Sequence, residues 1–174
     1  IKSTGAKAIK AKARDWGHDL NLMKDLVDEN TKVIFLATPN NPTGTVLESN
    51  VVEEFLDAIP SNIAVFIDQA YFEYIEEDKY KISFDLVKKY KNLIISRSFS
   101  KAHGLAALRL GYAVSSEEIA EFLNRVRQPF NTNSLALAAG VEAVTDKEHI
   151  AKSVEINKSG MEKLKKVFDE LDFK

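Results

Sequence analysis

Three polar clusters carry the side chains that could do chemistry, and each follows a short apolar run. The first, Thr38–Gly44, has the sequence TPNNPTG, in which two prolines and a glycine favour a tight turn and two asparagines offer amide groups. The second begins at Asp68 and ends at Tyr71. The third, Ser96–Lys101, has the sequence SRSFSK and is followed by Arg109. Together they offer a carboxylate, a phenol, hydroxyls, a guanidinium and a primary amine.

These groups suit a phosphorylated ligand that reacts with an amine. Serine hydroxyls, and an arginine that binds two oxygens at once, are typical phosphate ligands, and both occur around Lys101. A lysine directly behind an apolar strand loses its proton more easily and then acts as a nucleophile. Asp68 ends an apolar run, so its charge must be paired or used. Taken singly, the three clusters have simpler explanations: a turn, a helix cap and a surface lysine.

The elements that must position these clusters are three strands without alternation of apolar and polar residues. They cover residues 32–38, 62–68 and 92–96. Such continuous apolar strands are typical of a parallel sheet buried on both faces. Ligands of these sheets bind beyond the carboxyl ends of the strands, which is where all three clusters lie. Apolar residues at helical spacing in 48–59 and 83–90 complete an alternation of strand and helix. The sequence therefore predicts an α/β fold with a mostly parallel sheet flanked by helices.

Further elements are predicted on both sides of these strands. A strand over residues 6–13 and a helix over 20–27 precede them, and a strand over 110–114 follows. Capping serines, a proline and apolar stripes then predict helices from 115 to about 127, over 134–145 and over 147–171, with a loop at 128–133. The stripe on the last helix predicts core or interdomain packing.

The composition argues against several classes of function. The net charge of −2 provides no basic surface for nucleic acid or an anionic membrane. The sequence has no cysteine, which excludes disulfides and thiolate metal sites and agrees with a reducing cytoplasm; no metal site is predicted. No apolar run approaches the roughly 20 residues of a membrane helix, and we expect no secretory leader. No glycine-rich nucleotide-binding loop follows a strand.

The three clusters resemble the motifs of fold-type-I, pyridoxal-phosphate-dependent aminotransferases of class I and II. Asn41–Gly44 matches the NPTG turn of that family, and Asp68–Tyr71 matches its D-x-A-Y segment. Ser98–Lys101 and Arg109 match S-x-S-K followed eight residues later by arginine. The order and spacing of the motifs match as well, and the resemblance extends over essentially the whole chain.

This resemblance implies a pyridoxal phosphate site and a role for each matching residue. Lys101 would be the Schiff-base lysine and the proton shuttle. Asp68 would pair with the pyridine nitrogen, while Asn41 and Tyr71 would contact the ring oxygen. The residues that hold the phosphate would be Ser98, Ser100 and Arg109.

Two segments resemble the histidinol-phosphate aminotransferase branch in particular, KAHGLAALR at 101–109 and RQPFN at 127–131. By that resemblance Asn131 faces the active site, and the enzyme transfers the amino group of histidinol phosphate, or of a similar amino acid or amine, to 2-oxoglutarate. The resemblance further implies histidine biosynthesis, a cytoplasmic homodimer, and no nucleic-acid or membrane partner. His103 adjoins the reactive-lysine loop, but we attribute it to local packing.

Members of the family are considerably longer, so the chain is expected to be a central portion, truncated at both ends. Residues 1–146 would belong to the large cofactor-binding domain, and 147–174 would form a helix leading toward a small domain. We expect such a chain to bind the cofactor weakly and to transaminate poorly, which a coupled aminotransferase assay tests. The alternatives are another class I/II aminotransferase, an enzyme like phosphothreonine decarboxylase, a non-catalytic folding unit, and an ordinary phosphate- or nucleotide-binding α/β module.

Overall fold

The computed structural model describes residues 2–172 and has the predicted α/β architecture. Its four strands are β1 (Val33–Ala37), β2 (Ala64–Asp68), β3 (Leu93–Ser98) and β4 (Gly111–Ser115). Its helices are α1 (Leu20–Asp25), α2 (Ser49–Ala58), α3 (Leu86–Lys89), α4 (Glu117–Val126), α5 (Ser134–Thr145) and α6 (Lys147–Glu170). Short 3-10 turns occur at Lys2–Thr4, Phe72–Tyr74, Asp78–Tyr80 and Ala106–Leu108.

The strands form one sheet in the order β1-β2-β3-β4, and its first three strands are parallel. Ala37 pairs in register with Asp68, and Asp68 pairs with Ser96. Because parallel neighbours point the same way, the carboxyl ends of β1, β2 and β3 lie along one edge of the sheet. The predicted mostly parallel sheet is therefore confirmed.

The core lies between this sheet and the helices that connect its strands. Val52, Phe55 and Leu56 of α2 are buried at helical spacing, so one face of that helix packs on the sheet. In the sheet, Val65 and Ile67 of β2 are fully buried. Burial of an aliphatic side chain of this size stabilises a fold by about 1.5–3 kcal/mol, so these buried residues hold α2 against the sheet.

The prediction that the apolar strands are buried on both faces is wrong for β1. Ile34 and Leu36 are buried, but Val33 and Phe35 are 46% and 50% exposed. β1 is an edge strand, and within the described residues one of its faces is only partly covered. Phe35 contacts the ring of Phe66 on the neighbouring strand, with 5.6 Å between ring centroids. The apolar run therefore predicted the strand correctly but not the extent of its burial.

The predicted strand over residues 6–13 is also wrong, because this segment has no regular structure. Its alternating alanines and lysines supply little apolar area, and both residue types are depleted in strands. Ile9, the one large apolar residue in it, is 56% exposed. The isolated bridge nearby joins Arg14 and Gly17 and forms only a tight turn.

The remaining elements follow the predictions, with shorter first and third helices. α1 ends at Asp25 rather than residue 27, and α3 covers only Leu86–Lys89 of the predicted 83–90. Ser116 caps α4 by accepting from the Ile119 N–H, as expected from the serine and glutamate pattern. The α6 stripe is not core in the described chain, since its residues are 46–61% exposed: Met161, Leu164, Val167, Phe168 and Leu171.

Two compact units make up the chain. The strand unit comprises Ile1–Arg97 and Tyr112–Arg127, and the helical unit comprises Ser98–Gly111 and Gln128–Lys174. The predicted boundary at residue 146 refers to the domains of a longer protein and stays a prediction. Among the helices of residues 2–172, none combines the length and apolar character needed to cross a membrane.

His18 completes the hydrogen bonding at the end of the edge strand β1. Its Nε2 lies 3.0 Å from the Ala37 nitrogen and 3.1 Å from the Ala37 oxygen. The neutral ring, with its proton on Nδ1, accepts from the Ala37 N–H and so satisfies a donor that an edge strand leaves unpaired. Burial lowers the pKa of His18 below its ordinary value, and the Ala37 carbonyl opposes this shift.

We predict that this histidine makes the stability of the strand unit depend on pH. Because the folded state favours the neutral ring, its contribution is complete above the ordinary pKa of 6.5 and is lost as the pH falls below that value. The expected loss is about 1 kcal/mol, the size of one hydrogen bond. Urea unfolding at pH 7.5 and 5.5 measures it. In His18→Gln the free energy of unfolding should differ less between the two pH values, whereas His149→Gln on α6 should keep the difference of the parent chain. An unchanged difference in His18→Gln would contradict the role given to His18.

Candidate functional site

The three predicted clusters leave the sheet along the edge defined by Ala37, Asp68 and Ser96. Backbone hydrogen bonds extend the ladder past the strand ends: the Thr38 N–H donates to the Asp68 oxygen at 3.0 Å, and the Gln69 N–H donates to the Ser96 oxygen at 2.9 Å. The first residues of the first two clusters are therefore fixed by the sheet. This edge is the ligand-binding edge of open parallel sheets.

The turn after β1 is held by hydrogen bonds within itself. The Gly44 N–H donates to the Asn40 oxygen at 2.8 Å, and the Asn40 N–H donates to the Thr45 oxygen at 2.8 Å. Thr38 is fully buried, and its hydroxyl accepts from the Leu47 N–H at 3.0 Å. Gly44 adopts φ +71°, a left-handed conformation that glycine enters without the steric cost other residues meet. The turn is thus specified by its own sequence.

Asn41 and Tyr71, predicted to act on the same ring oxygen, are brought together in the strand unit. Asn41 Nδ2 donates to the Tyr71 hydroxyl at 2.9 Å, across 30 residues of sequence. Both side chains belong to loops that follow parallel strands, so the sheet register accounts for their meeting. An amide and a phenol in contact offer adjacent hydrogen-bonding groups to a ligand oxygen.

Asp68 is the last residue of β2 and has an exposed side chain. The expectation that its charge lies where solvent is scarce is therefore wrong for the described chain. Its Oδ1 accepts from the Ala70 N–H at 2.9 Å, which forms a local turn and not a helix cap. The second carboxylate oxygen has no protein hydrogen bond among those described, so the group has capacity for a cationic partner.

Ser98, Ser100 and Arg109 are brought together in the helical unit. The Ser98 hydroxyl accepts from the Ser100 N–H at 3.0 Å, and Arg109 Nη1 lies 3.4 Å from the Ser100 hydroxyl. The same nitrogen donates to the Ala106 oxygen at 2.9 Å. Two hydroxyls and a guanidinium thus line one loop, and such a donor set fits a phosphate group.

Lys101 lies in this loop, three residues beyond the end of β3, with an exposed side chain. Its carbonyl accepts from the Gly104 N–H at 2.9 Å, so the backbone turns directly after it. The apolar strand before Lys101 therefore does not bury its side chain. His103 packs against Phe99 with 4.7 Å between ring centroids, which agrees with the predicted local packing.

The residues of the strand unit and those of the helical unit form two separate sets. Asn41, Asp68 and Tyr71 belong to the first set, and the phosphate ligands and Lys101 belong to the second. Each set fits the part of pyridoxal phosphate that it was predicted to bind. Their action on one cofactor stays a prediction. The same holds for Asn131, which lies exposed in the loop before α5.

Sequence reasoning assigned no separate role to Gln69 and Arg97, which the structure joins by a hydrogen bond of 3.3 Å. Gln69 is fully buried directly after Asp68, and Arg97 directly precedes Ser98. Their positions next to predicted site residues were the available signal. The partners that hold Arg97 come from distant segments, so no local pattern identified them.

A family model matches the whole of this chain, and known proteins match most of it. The family model for aminotransferases of class I and II matches residues 1–174. Histidinol-phosphate aminotransferase 1 of Idiomarina loihiensis is 49% identical over 169 residues, which cover 97% of this chain and 46% of that protein. The chain therefore spans about half the length of the curated relatives it matches.

Two solved structures are similar in both fold and sequence. A putative histidinol-phosphate aminotransferase from Erwinia carotovora atroseptica has a TM-score of 0.91 at 27% identity, covering 98% of this chain and 51% of that one. The histidinol-phosphate aminotransferase from Sinorhizobium meliloti, in complex with pyridoxal-5'-phosphate, has a TM-score of 0.80 at 28% identity, covering 86% and 41%.

We predict opposite effects of the same substitution at two glycines. Gly44→Ala should lower the free energy of unfolding by about 1 kcal/mol, because a side chain at positive φ is strained. Gly160→Ala should raise it by about 0.5–1 kcal/mol, because alanine is the better residue inside a helix. An added Cβ meets no atom within 4 Å at either position. Urea unfolding followed by circular dichroism measures both, and equal effects of the two variants would refute the role of Gly44 in the turn.

Proposed function

The chain belongs to the class I and II aminotransferase family, and on that premise we propose that it supplies the cofactor-binding part of a pyridoxal-phosphate-dependent aminotransferase. The observation that carries this proposal is the hydrogen-bonded set of Ser98, Ser100 and Arg109 around the loop that contains Lys101. A phosphate ligand set and a primary amine in one loop are what this cofactor needs from a protein.

In the proposed site, the cofactor phosphate binds to the hydroxyls of Ser98 and Ser100 and to the Arg109 guanidinium. The planar fork of the Arg109 guanidinium can donate to two phosphate oxygens at once. The existing bond from Arg109 to the Ala106 carbonyl supports this role, because it orients the guanidinium before a ligand arrives. A preoriented donor costs less conformational entropy on binding.

The strand unit is proposed to bind the ring of the cofactor. Asp68 holds the pyridine nitrogen in its protonated form, since an adjacent carboxylate favours the cationic state. Asn41 and Tyr71 donate hydrogen bonds to the ring oxygen, and their contact with each other supports this shared role. When bound, pyridoxal phosphate supplies an electron sink that stabilises negative charge at the substrate α-carbon.

Lys101 is proposed to hold the cofactor covalently and then to act as the general base and acid. Its Nζ atom would take the proton from the α-carbon of the amino donor and would deliver it to a different carbon, that of the bound cofactor, so that the amino group leaves the donor. The carboxylate of Asp68 does not take part in this proton transfer.

Histidinol phosphate is the proposed amino donor and 2-oxoglutarate the acceptor, with Asn131 at the substrate and a homodimer as the functional assembly. The support is the identity of 49% to a protein named histidinol-phosphate aminotransferase. A different class I/II aminotransferase, or an enzyme like phosphothreonine decarboxylase, would share the same cofactor residues. A non-catalytic folding unit would not use them.

Donor profiling of the full-length protein separates these possibilities. We expect histidinol phosphate to give the highest kcat/KM among amino acids and amines of similar size, with glutamate formed from 2-oxoglutarate. Release of carbon dioxide from phosphothreonine would favour the decarboxylase. A preference for another amino donor would replace the proposed substrate without affecting the cofactor site.

For the chain itself, we predict covalent labelling at a single lysine. Pyridoxal phosphate is added, the protein is reduced with borohydride, and the adduct is located by peptide mass spectrometry. We expect one adduct, at Lys101, and its loss in Lys101→Ala. Lys91→Ala is the matched control, since Lys91 is exposed outside the proposed site and its removal should leave the adduct in place. Labelling spread over many lysines, or unchanged in Lys101→Ala, would refute the proposed function.

A further inference from the structure

The side chain of Arg97 is held by several neighbours within the strand unit. Its Cζ lies 3.4 Å from the ring centroid of Phe72 and 4.1 Å from that of Phe84. Its Nε donates to Gln69 Oε1 at 3.3 Å, and the Tyr112 side chain also hydrogen-bonds the guanidinium. A cation in contact with two aromatic rings is attracted to both, and the attraction grows as water is removed.

Gln69 is fixed from both ends of its amide. The side chain is fully buried, its Nε2 donates to the Ile82 oxygen at 3.3 Å, and its Oε1 accepts from Arg97. An arginine has only donors, so the amide oxygen is the atom that must meet it. The backbone of Gln69 is fixed as well, since its N–H donates to the Ser96 oxygen.

The charge of Arg97 is compensated locally. Burial lowers the pKa of its guanidinium from the ordinary value, while Tyr112 and Glu73 favour the charged form. Glu73 Oε2 is buried without a hydrogen-bond partner among the described atoms, and Glu73 interacts electrostatically with Arg97. Arg97 is half-buried, and a cation that is partly removed from water is stabilised by nearby groups that favour its charge. The residues around Arg97 are therefore suited to hold a guanidinium in particular.

Arg97 and Gln69 are neighbours in sequence of the proposed cofactor residues, but their side chains project to the opposite face of the sheet. Successive side chains of a strand project to opposite faces, so Arg97 projects away from the face of Ser96. Ser96 pairs in register with Asp68, the residue before Gln69. Arg97 in turn directly precedes Ser98. The Arg97–Gln69 hydrogen bond thus joins two strand ends, each one residue away from a proposed cofactor ligand.

We propose that Arg97 is a positioning residue, whose contacts with Phe72, Phe84 and Gln69 fix the backbone from which the Ser98–Lys101 loop begins. Arg97 itself does not touch the cofactor. This inference rests on the proposed function, because the proposed cofactor is the ligand that the loop would bind. A loop whose first residue is fixed presents its hydroxyls and amine in one arrangement, and misplacement by about 1 Å can cost about 100-fold in activity.

Hydrogen exchange of the cofactor-free 174-residue chain tests the positioning role directly. Arg97→Met keeps an unbranched side chain and removes the guanidinium. We expect amide exchange in 98–105 to become on the order of 10-fold faster, the factor that corresponds to about 1.4 kcal/mol of local stability. Exchange in β1, which makes no contact with Arg97 among those described, should change little. Arg125→Met is the matched control, because Arg125 also lies over a ring, that of Phe122 at 5.1 Å.

Two further variants keep the test decisive if Arg97→Met does not fold. Arg97→Lys keeps the charge but lacks the planar group that stacks on two rings, so it should also accelerate exchange in the loop. Gln69→Leu should also accelerate exchange in the loop. The effect of the double variant Gln69→Leu with Arg97→Lys should be smaller than the sum of the two single effects, because both changes remove the same Arg97–Gln69 contact. Additive effects would place the two residues in separate roles and overturn the proposal.

Cofactor binding supplies the second readout. Titration with pyridoxal phosphate should give an affinity about 10-fold lower in Arg97→Lys than in the parent chain, with an unchanged affinity in Arg125→Met. Acceleration of exchange throughout the strand unit, or none in 98–105, would reduce Arg97 to a general stabilising residue. If the parent chain is not labelled at Lys101, the proposed function fails, while the exchange comparison still decides whether Arg97 holds the loop.

Discussion

The parallel register of β1, β2 and β3 is the constraint on which the candidate site depends. Asp68 is paired with Ala37 on one side and Ser96 on the other, so the polar clusters begin at one edge of the sheet. A slip of one residue would turn the side chain of Asp68 to the opposite face. The buried aliphatic residues Val65 and Ile67 oppose such a slip, because it would expose them. The core packing of β2 therefore also fixes the geometry of the candidate site.

Much of this arrangement follows from local sequence. Continuous apolar runs identified all three parallel strands, and turn residues identified the loop at Thr38–Gly44. The contact between Asn41 and Tyr71 agrees with motifs that were matched separately, since a common sheet edge is enough to bring them together. Features of this kind depend on strand direction and on short segments, and both can be predicted from the types and the order of neighbouring residues.

Features that depend on distant segments were not predictable. The apolar run of β1 does not reveal that Val33 and Phe35 are half-exposed, because exposure depends on what else packs there. Likewise, the exposure of the Asp68 and Lys101 side chains could not be inferred from the apolar strand residues that precede them. The partners of Arg97 come from residues 72, 84 and 112, and only the folded strand unit makes them neighbours.

Arg109 has a backbone conformation that its side chain does not favour. It adopts φ 54° and ψ 44°, in the left-handed region that costs a residue with a Cβ roughly 1–2 kcal/mol. Glycine or asparagine would occupy this position more comfortably, yet neither has a guanidinium. Selection for thermal stability alone would therefore drive this position away from arginine. Thermostable variants obtained in that way would be the ones to inspect first for loss of the phosphate binding proposed for Arg109.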